Sequence, residues 1–219
     1  MTPPVKPISA NKMAMRTAII LLVFVTIFTG LLASAYLWTR PAIDAAAADE
    51  KMKLIDEVLP RTSYDNALLK DAVPIAANAA LGQDETTQAY RARKAGQPVA
   101  LVLEAVAPDG YAGKIRLLVA VAPDGKLVGV RVTQHKETPG LGDYIEPKKD
   151  KNKTRPWITQ FDGANPITVD EREWKVKKDG GQFDSMAGAT VTPRAIIKAV
   201  RKASRYVVDN RNTLFATAN

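Results

Sequence analysis

The sequence predicts an α+β fold: one apolar helix near the N-terminus, then a domain built on an antiparallel β meander with flanking helices. Three observations carry this. Residues 17–39 form an uncharged run of 23 residues, TAIILLVFVTIFTGLLASAYLWT. Three strand-like segments follow one another between residues 99 and 134, with turn residues between them. Near the end of the chain, apolar residues recur at helical spacing beside a basic face.

The apolar run comes first. At ~1.5 Å per residue it makes a helix about 34 Å long, enough to cross a bilayer core of about 30 Å. Arg16 and Arg40 bracket it, and Tyr36 and Trp38 stand at its end like an interfacial aromatic belt. Residues 1–16 hold Lys6, Lys12 and Arg16 and no acid. The positive-inside rule therefore keeps 1–16 in the cytoplasm and sends residues 40–219 across the membrane. Ala33-Ser34-Ala35 resembles a cleavage site, so a removed signal peptide is the rival reading. The apolar part of a signal spans about 7–15 residues, and this run continues to Trp38. Either way the main domain is extracytoplasmic.

Composition fits that placement. The 219 residues carry 31 Lys+Arg against 23 Asp+Glu, a net charge of +8. Such an excess suits nucleic acid, but a domain outside the cytoplasm leaves no nucleic-acid partner. There is no cysteine. That excludes a disulfide scaffold, a thiolate zinc site and an iron–sulfur cluster held by this chain alone. The single histidine, His135, excludes His-rich metal sites and H-E-x-x-H hydrolases.

Beyond the span, Pro41 to Leu59 reads as a second helix, a stalk, with Pro41 in its first turn. Residues 60–97 are punctuated by Pro60, Pro74, Gly82 and Gly96 and offer no firm elements. The segment AVAPDG then occurs at 105–110 and again at 120–125. Pro-Asp-Gly is turn chemistry, so two turns link the strands 99–107, 114–122 and 126–134. In the third strand Leu127, Gly129, Arg131 and Thr133 alternate with Val128, Val130, Val132 and Gln134, which predicts one buried face. Trp157–Phe161 and Thr168–Val176 are candidate short strands. A final helix runs from Pro193 to about Asp209, with Thr192 as N-cap and Pro193 at its first position. Its apolar stripe is Ile196, Val200, Ala203 and Val207.

The segment before that helix carries the chemistry. Asp184-Ser185-Met186-Ala187-Gly188-Ala189-Thr190 feeds small residues directly into Val191, Thr192 and a helix N-terminus. First-turn amides there lack partners and the dipole end is positive, which suits a phosphate. An ordinary loop with an N-cap has the same look.

DSMAGAT resembles the threonyl-flavin motif D-x-x-[ST]-G-A-T of the FMN-binding domain. That domain occurs in the G subunit of the Rnf (or Rsx) ion-translocating electron-transport complex and in the C subunit of the related sodium-pumping NADH:quinone reductase. GYAGKIRLLVAV (110–121), HKETPGLGDYIE (135–146) and KKDGGQFDSMAGAT (177–190) all resemble the Rnf G subunit, in order. The resemblance covers roughly residues 90–205 plus the anchor. It implies covalent FMN on Thr190, added by a flavin transferase, in an FMN-binding domain over 98–209. Residues 40–97 then form a stalk and connector, and 210–219 a C-terminal tail. It also implies a bacterial inner-membrane protein with a periplasmic domain, relaying electrons to other subunits of a membrane complex. Gly188, Ala189, Val191 and Thr192 are its phosphate-side candidates, with Lys198 as a candidate counter-charge. Glu137, Thr138, Gly140 and Leu141 are candidates for a wall against the flavin ring. One departure stands out: Ala187 replaces the family's hydroxyl residue.

Other residues keep two readings. His135 is either a proton donor to flavin or a strand-end residue making one hydrogen bond. The run Lys148–Arg155 is a docking patch or a solvated loop. Trp157 and Trp174 stack on flavin or anchor the core. Asp184 reads as a recognition or turn residue. Two other functions stay open: a membrane-anchored adaptor without cofactor, and, more remotely, a hydrolase using His135 with Ser185 or Thr190.

Overall fold

The computed structural model describes residues 10–216. Helix α1 spans Ala10–Val58 without interruption. Pro41 lies inside it and does not open a second helix. Proline removes one i→i−4 bond, but the Ala45–Ala48 run that follows is strongly helix-forming and the helix continues through Pro41. The 18-residue window that marks the span has a mean hydropathy of 2.5 and buries none of its residues in protein. The chain falls into two units, 1–50 and 51–219, so α1 belongs to both.

The second unit is built on one five-stranded antiparallel sheet in the order β1 (Ala72–Ile75), β2 (Thr87–Lys94), β3 (Gln97–Gly110), β4 (Gly113–Val121) and β5 (Leu127–Gln134). Residues 60–97, without legible elements in the sequence, supply β1 and β2. Two helices follow: α2 (Val191–Asp209) and the short α3 (Arg211–Leu214).

The repeated AVAPDG has two outcomes. The second copy makes the expected turn: Asp124 Oδ1 accepts from the Lys126 amide at 3.0 Å and the Gly125 amide reaches Ala122. The first copy remains in β3 as far as Gly110, with a register shift between Ala107 and Gly110. The hairpin closes two residues later, at Tyr111-Ala112. There the flanking Gly110 and Gly113 pair across the strands, so the turn forms where two glycines let the backbones meet.

The alternation in β5 is also broken. A register shift between Ala120 and Val121 sets Val121 against Leu127 and Ala120 against Gly129, leaving Val128 unpaired. Leu127 and Val130 thereby enter the same core. Both faces of the sheet are covered. One face packs Leu101, Leu103, Leu117 and Val119 against α2, whose stripe Ile196, Val200, Ala203 and Val207 is fully buried. Each large aliphatic so buried contributes about 1.5–3 kcal/mol. The other face packs Val102, Leu118 and Ala120 against Ile55, Val58 and Leu59, at and just beyond the end of α1.

The two candidate short strands are absent from the sheet. Trp157–Phe161 is a 3₁₀ turn, and 168–176 is a chain of turns ending in an isolated bridge from Val176 to Phe183. Large aromatics explain this. Trp157, Phe161, Trp174 and Phe183 pack on one another with centroids 4.6–6.2 Å apart, and alternation along a strand cannot turn them all inward.

Gly129 sets how closely α1 meets the sheet. A Cβ there would lie 2.4 Å from the Val58 carbonyl oxygen. Gly129→Ala is expected to cost about 2 kcal/mol and to lower the melting temperature by roughly 4–8 °C, measured by thermal unfolding of the detergent-solubilised chain.

Candidate functional site

Three segments far apart in sequence meet at the N-terminal end of α2. The first is the β3–β4 hairpin tip. The second is the loop after β5, where the amides of Leu141 and Gly142 donate to the Thr138 carbonyl at 3.1 and 2.9 Å. The third is the loop into α2. Between them lies an open cleft of about 270 Å3, lined by Tyr111, Glu137, Thr138, Leu141 and Gly142 on one side and by Gly188 to Thr192 on the other. Eight of the nine sequence candidates line it. Gly140 does not; its amide donates to Asp143 Oδ1 at 2.7 Å and shapes the loop. Gly142 closes the loop that supplies the wall candidates, and Tyr111 was missed. The glycines flanking Tyr111 in GYAG were the signal for a hairpin tip.

Helix α2 begins at Val191, one residue before the expected N-cap. Thr190 holds the N-cap position with φ −89° and ψ −16°, and its side chain makes no capping bond. N-caps normally adopt β-region angles that aim the hydroxyl at the helix amides; this backbone does not. The first intrahelical bond runs from the Arg194 amide to the Thr190 carbonyl. Pro193 has no N–H, so the amides of Val191 and Thr192 precede the helical ladder. Thr192, expected as the cap, donates instead to Glu137 Oε2 at 2.5 Å. Lys198 pairs with Asp109 at 2.9 Å and does not line the cleft.

Glu137 is buried, with 4% of its surface exposed. Its Oε1 accepts from the Ala112 amide at 3.0 Å. Its own amide donates to His135 Nδ1 at 2.9 Å, which leaves Nε2 to donate to Glu146 Oε1 at 2.5 Å. His135 thus makes two bonds and lies outside the cleft lining, against the proton-donor reading. Burial opposes ionisation of Glu146. Hydrogen bonds from Lys149 and His135 outweigh it and hold the carboxyl below its ordinary 4.5.

An aromatic base supports the loop. Trp157 Nε1 donates to the Asp184 carbonyl at 2.6 Å, and Trp174 Nε1 to the Ile197 carbonyl at 3.0 Å. Both tryptophans are core anchors. Tyr144 OH donates to the Ala189 carbonyl and accepts from the Met186 amide, at 3.5 and 3.4 Å. Burial pushes its pKa up to about 12, so it stays neutral. The motif itself divides. Gly188 to Thr190 face the first cleft. Asp184 to Met186 face another of about 390 Å3, walled by Asn152, Arg155 and Gln160. A third cleft of about 420 Å3 lies along the basic side of α2. Its Arg194, Lys198 and Arg201 already pair with Asp179, Asp109 and Glu171.

One distribution singles out the first cleft. Among the described residues beyond α1, the large hydrophobic side chains left exposed are Tyr111, Leu141 and Val191. All three line it.

Comparison with known proteins fits this geometry. Residues 110–205 match the model of the FMN-binding domain, and residues 1–58 that of the RnfG N-terminal region. The G subunit of a Pseudomonas aeruginosa ion-translocating oxidoreductase complex is 46% identical over 95% of both chains. The corresponding G subunit of Pseudoalteromonas atlantica is 40% identical over 93% of both. A crystal structure of Shewanella oneidensis NqrC is a distant likeness, 21% identical over 71% of both chains with a TM-score of 0.45. The chain thus has the make-up of a membrane-anchored flavoprotein, one apolar helix followed by an FMN-binding domain. It belongs to the RnfG family, the G subunits of ion-translocating oxidoreductase complexes.

The Glu146 pair has a testable pH dependence. Its folded-state pKa is depressed, so the unfolded chain takes up the proton first as pH falls. Its stabilisation is present above about pH 4.5 and is lost as pH drops through the folded value. Glu146→Gln is expected to be less stable than wild type at pH 7 and to lose less on going from pH 5 to 3, read from urea midpoints.

Proposed function

We propose that the chain carries FMN covalently on Thr190, through a phosphoester between the threonine hydroxyl and the flavin phosphate. A flavin transferase loads it. The inner-membrane helix, crossing once from a cytoplasmic N-terminus, holds the FMN-binding domain in the periplasm. There the chain relays electrons to other subunits of its complex.

Thr190 carries this reading. It is half-buried at the cleft, and its hydroxyl is not engaged as a cap at the one position where a threonine normally is. The residues fit the group. The Val191 and Thr192 amides and the positive end of α2 suit a phosphate. Gly188 (φ +82°) and Ala189 permit close backbone approach. Glu137, Thr138 and Leu141, in the loop shaped by Gly140, form the opposite wall. Tyr111, Leu141 and Val191 offer apolar surface to a ring. Bound there, FMN supplies the redox chemistry, and the protein supplies orientation and electrostatics. Ala187 is exposed and lines none of the three clefts, so the missing hydroxyl leaves these walls intact.

Placement rests on charge. Lys6, Lys12 and Arg16 precede the span with no acid among residues 1–16. A covalent tether also suits a compartment where a dissociated FMN is lost.

The decisive measurement is intact mass after co-expression with a flavin transferase. Wild type is expected to gain one FMN less one water, and Thr190→Ala to gain nothing. An adduct that survives in Thr190→Ala, or none in wild type beside a transferase active on another substrate, overturns the assignment. Thr190→Ser keeps a hydroxyl and is expected to retain some covalent flavin, seen as in-gel fluorescence. For orientation, alkaline phosphatase fused after Asn219 is expected to be active in whole cells; an inactive fusion of normal abundance contradicts periplasmic placement.

A further inference from the structure

Among the described residues lining the cleft, Glu137 alone carries a charge. Burying a carboxylate is costly unless hydrogen bonds and fields compensate. Here both oxygens accept, from Ala112 N–H and Thr192 Oγ–H, as an ionised carboxylate does. The first turn of α2, which holds Thr192, adds the positive end of the helix dipole. Space is also reserved for the carboxylate. A Cβ on Gly110 would lie 2.9 Å from Oε1, and one on Gly142 would lie 2.9 Å from Oε2.

None of that geometry requires a charge. A glutamine would accept from the Ala112 amide and donate to the Thr192 hydroxyl in the same shape. The charge therefore has a role that the clasp alone does not explain. We propose that Glu137 is a fixed negative charge that lowers the reduction potential of the flavin held in this cleft. This rests on the FMN reading above. Each electron entering a flavin brings negative charge unless a proton accompanies it. A carboxylate shielded from solvent opposes that charge and is little screened by salt.

The test uses the full-length chain in detergent, loaded with FMN by co-expression with a flavin transferase and checked by intact mass. Midpoint potentials are read from flavin absorbance during redox titration with mediator dyes. Glu137→Gln is expected to raise the potential. At an effective dielectric of about 20, removing a unit charge roughly 10 Å away shifts such an equilibrium about tenfold. That corresponds to about 59 mV for one electron. Thr192→Val keeps the charge but removes its donor, so it is expected to move the potential the other way. A loaded Glu137→Gln protein with an unchanged potential overturns the proposal. If that variant does not fold, an unchanged potential in Thr192→Val does so instead. Absence of FMN from wild type, seen by mass before any titration, overturns the flavin assignment and this inference together.

Discussion

The contact between Glu137 and Thr192 holds the cleft together. It joins residues 55 positions apart, and the same carboxylate reaches Ala112 across another 25. Hairpin tip, post-sheet loop and helix start thus converge on one buried group. The local sequence yields to it. Thr192 gives up the cap position its neighbours favour, the helix begins two residues early, and Thr190 is left at the N-cap with its hydroxyl free of capping. A hydrogen bond to a buried charged group commonly contributes about 1.5–3 kcal/mol, so the three segments are held in register by an interaction that is costly to break.

Much of this was legible. The strands β3 to β5 and the stripe of α2 follow from alternation and helical spacing, because both are decided by which residues must leave water. The entry of the DSMAGAT loop into a helix N-terminus was legible for the same kind of reason: the amides of a first turn precede the helical ladder. The failures share a different cause. Strands β1 and β2 are short or polar at their ends; β2 exists because β3 offers it an edge, and β1 because β2 then does. The first AVAPDG carries full turn chemistry, yet it stays in the strand because Gly110 and Gly113 close the hairpin beyond it. Tyr111 entered the site only through that displacement. Pro41 failed to break α1 because a single missing hydrogen bond is small against two long helical flanks.

The cleft is small. Its 270 Å3 falls below the roughly 300–1,000 Å3 of most ligand pockets. A deep pocket would protect a bound ring but distance it from other proteins. The exposed side chains of Tyr111, Leu141 and Val191 keep apolar surface at the mouth, within reach of a neighbouring protein. Rigidity is supplied from beneath instead. Trp157 and the neutral Tyr144 hold the backbone at Asp184, Met186 and Ala189, so the loop is firm without being enclosed.

Gly188 sets a further condition on that loop. Its φ is +82°, yet a Cβ built there meets nothing within 4 Å. The position has ample room; what it refuses is handedness. Any L-residue is strained there however small its side chain, whereas a D-alanine introduced by semisynthesis would sit in its preferred backbone region. The loop beside Thr190 is thus a chiral constraint before it is a steric one, and random substitution by natural amino acids can test only half of its chemistry.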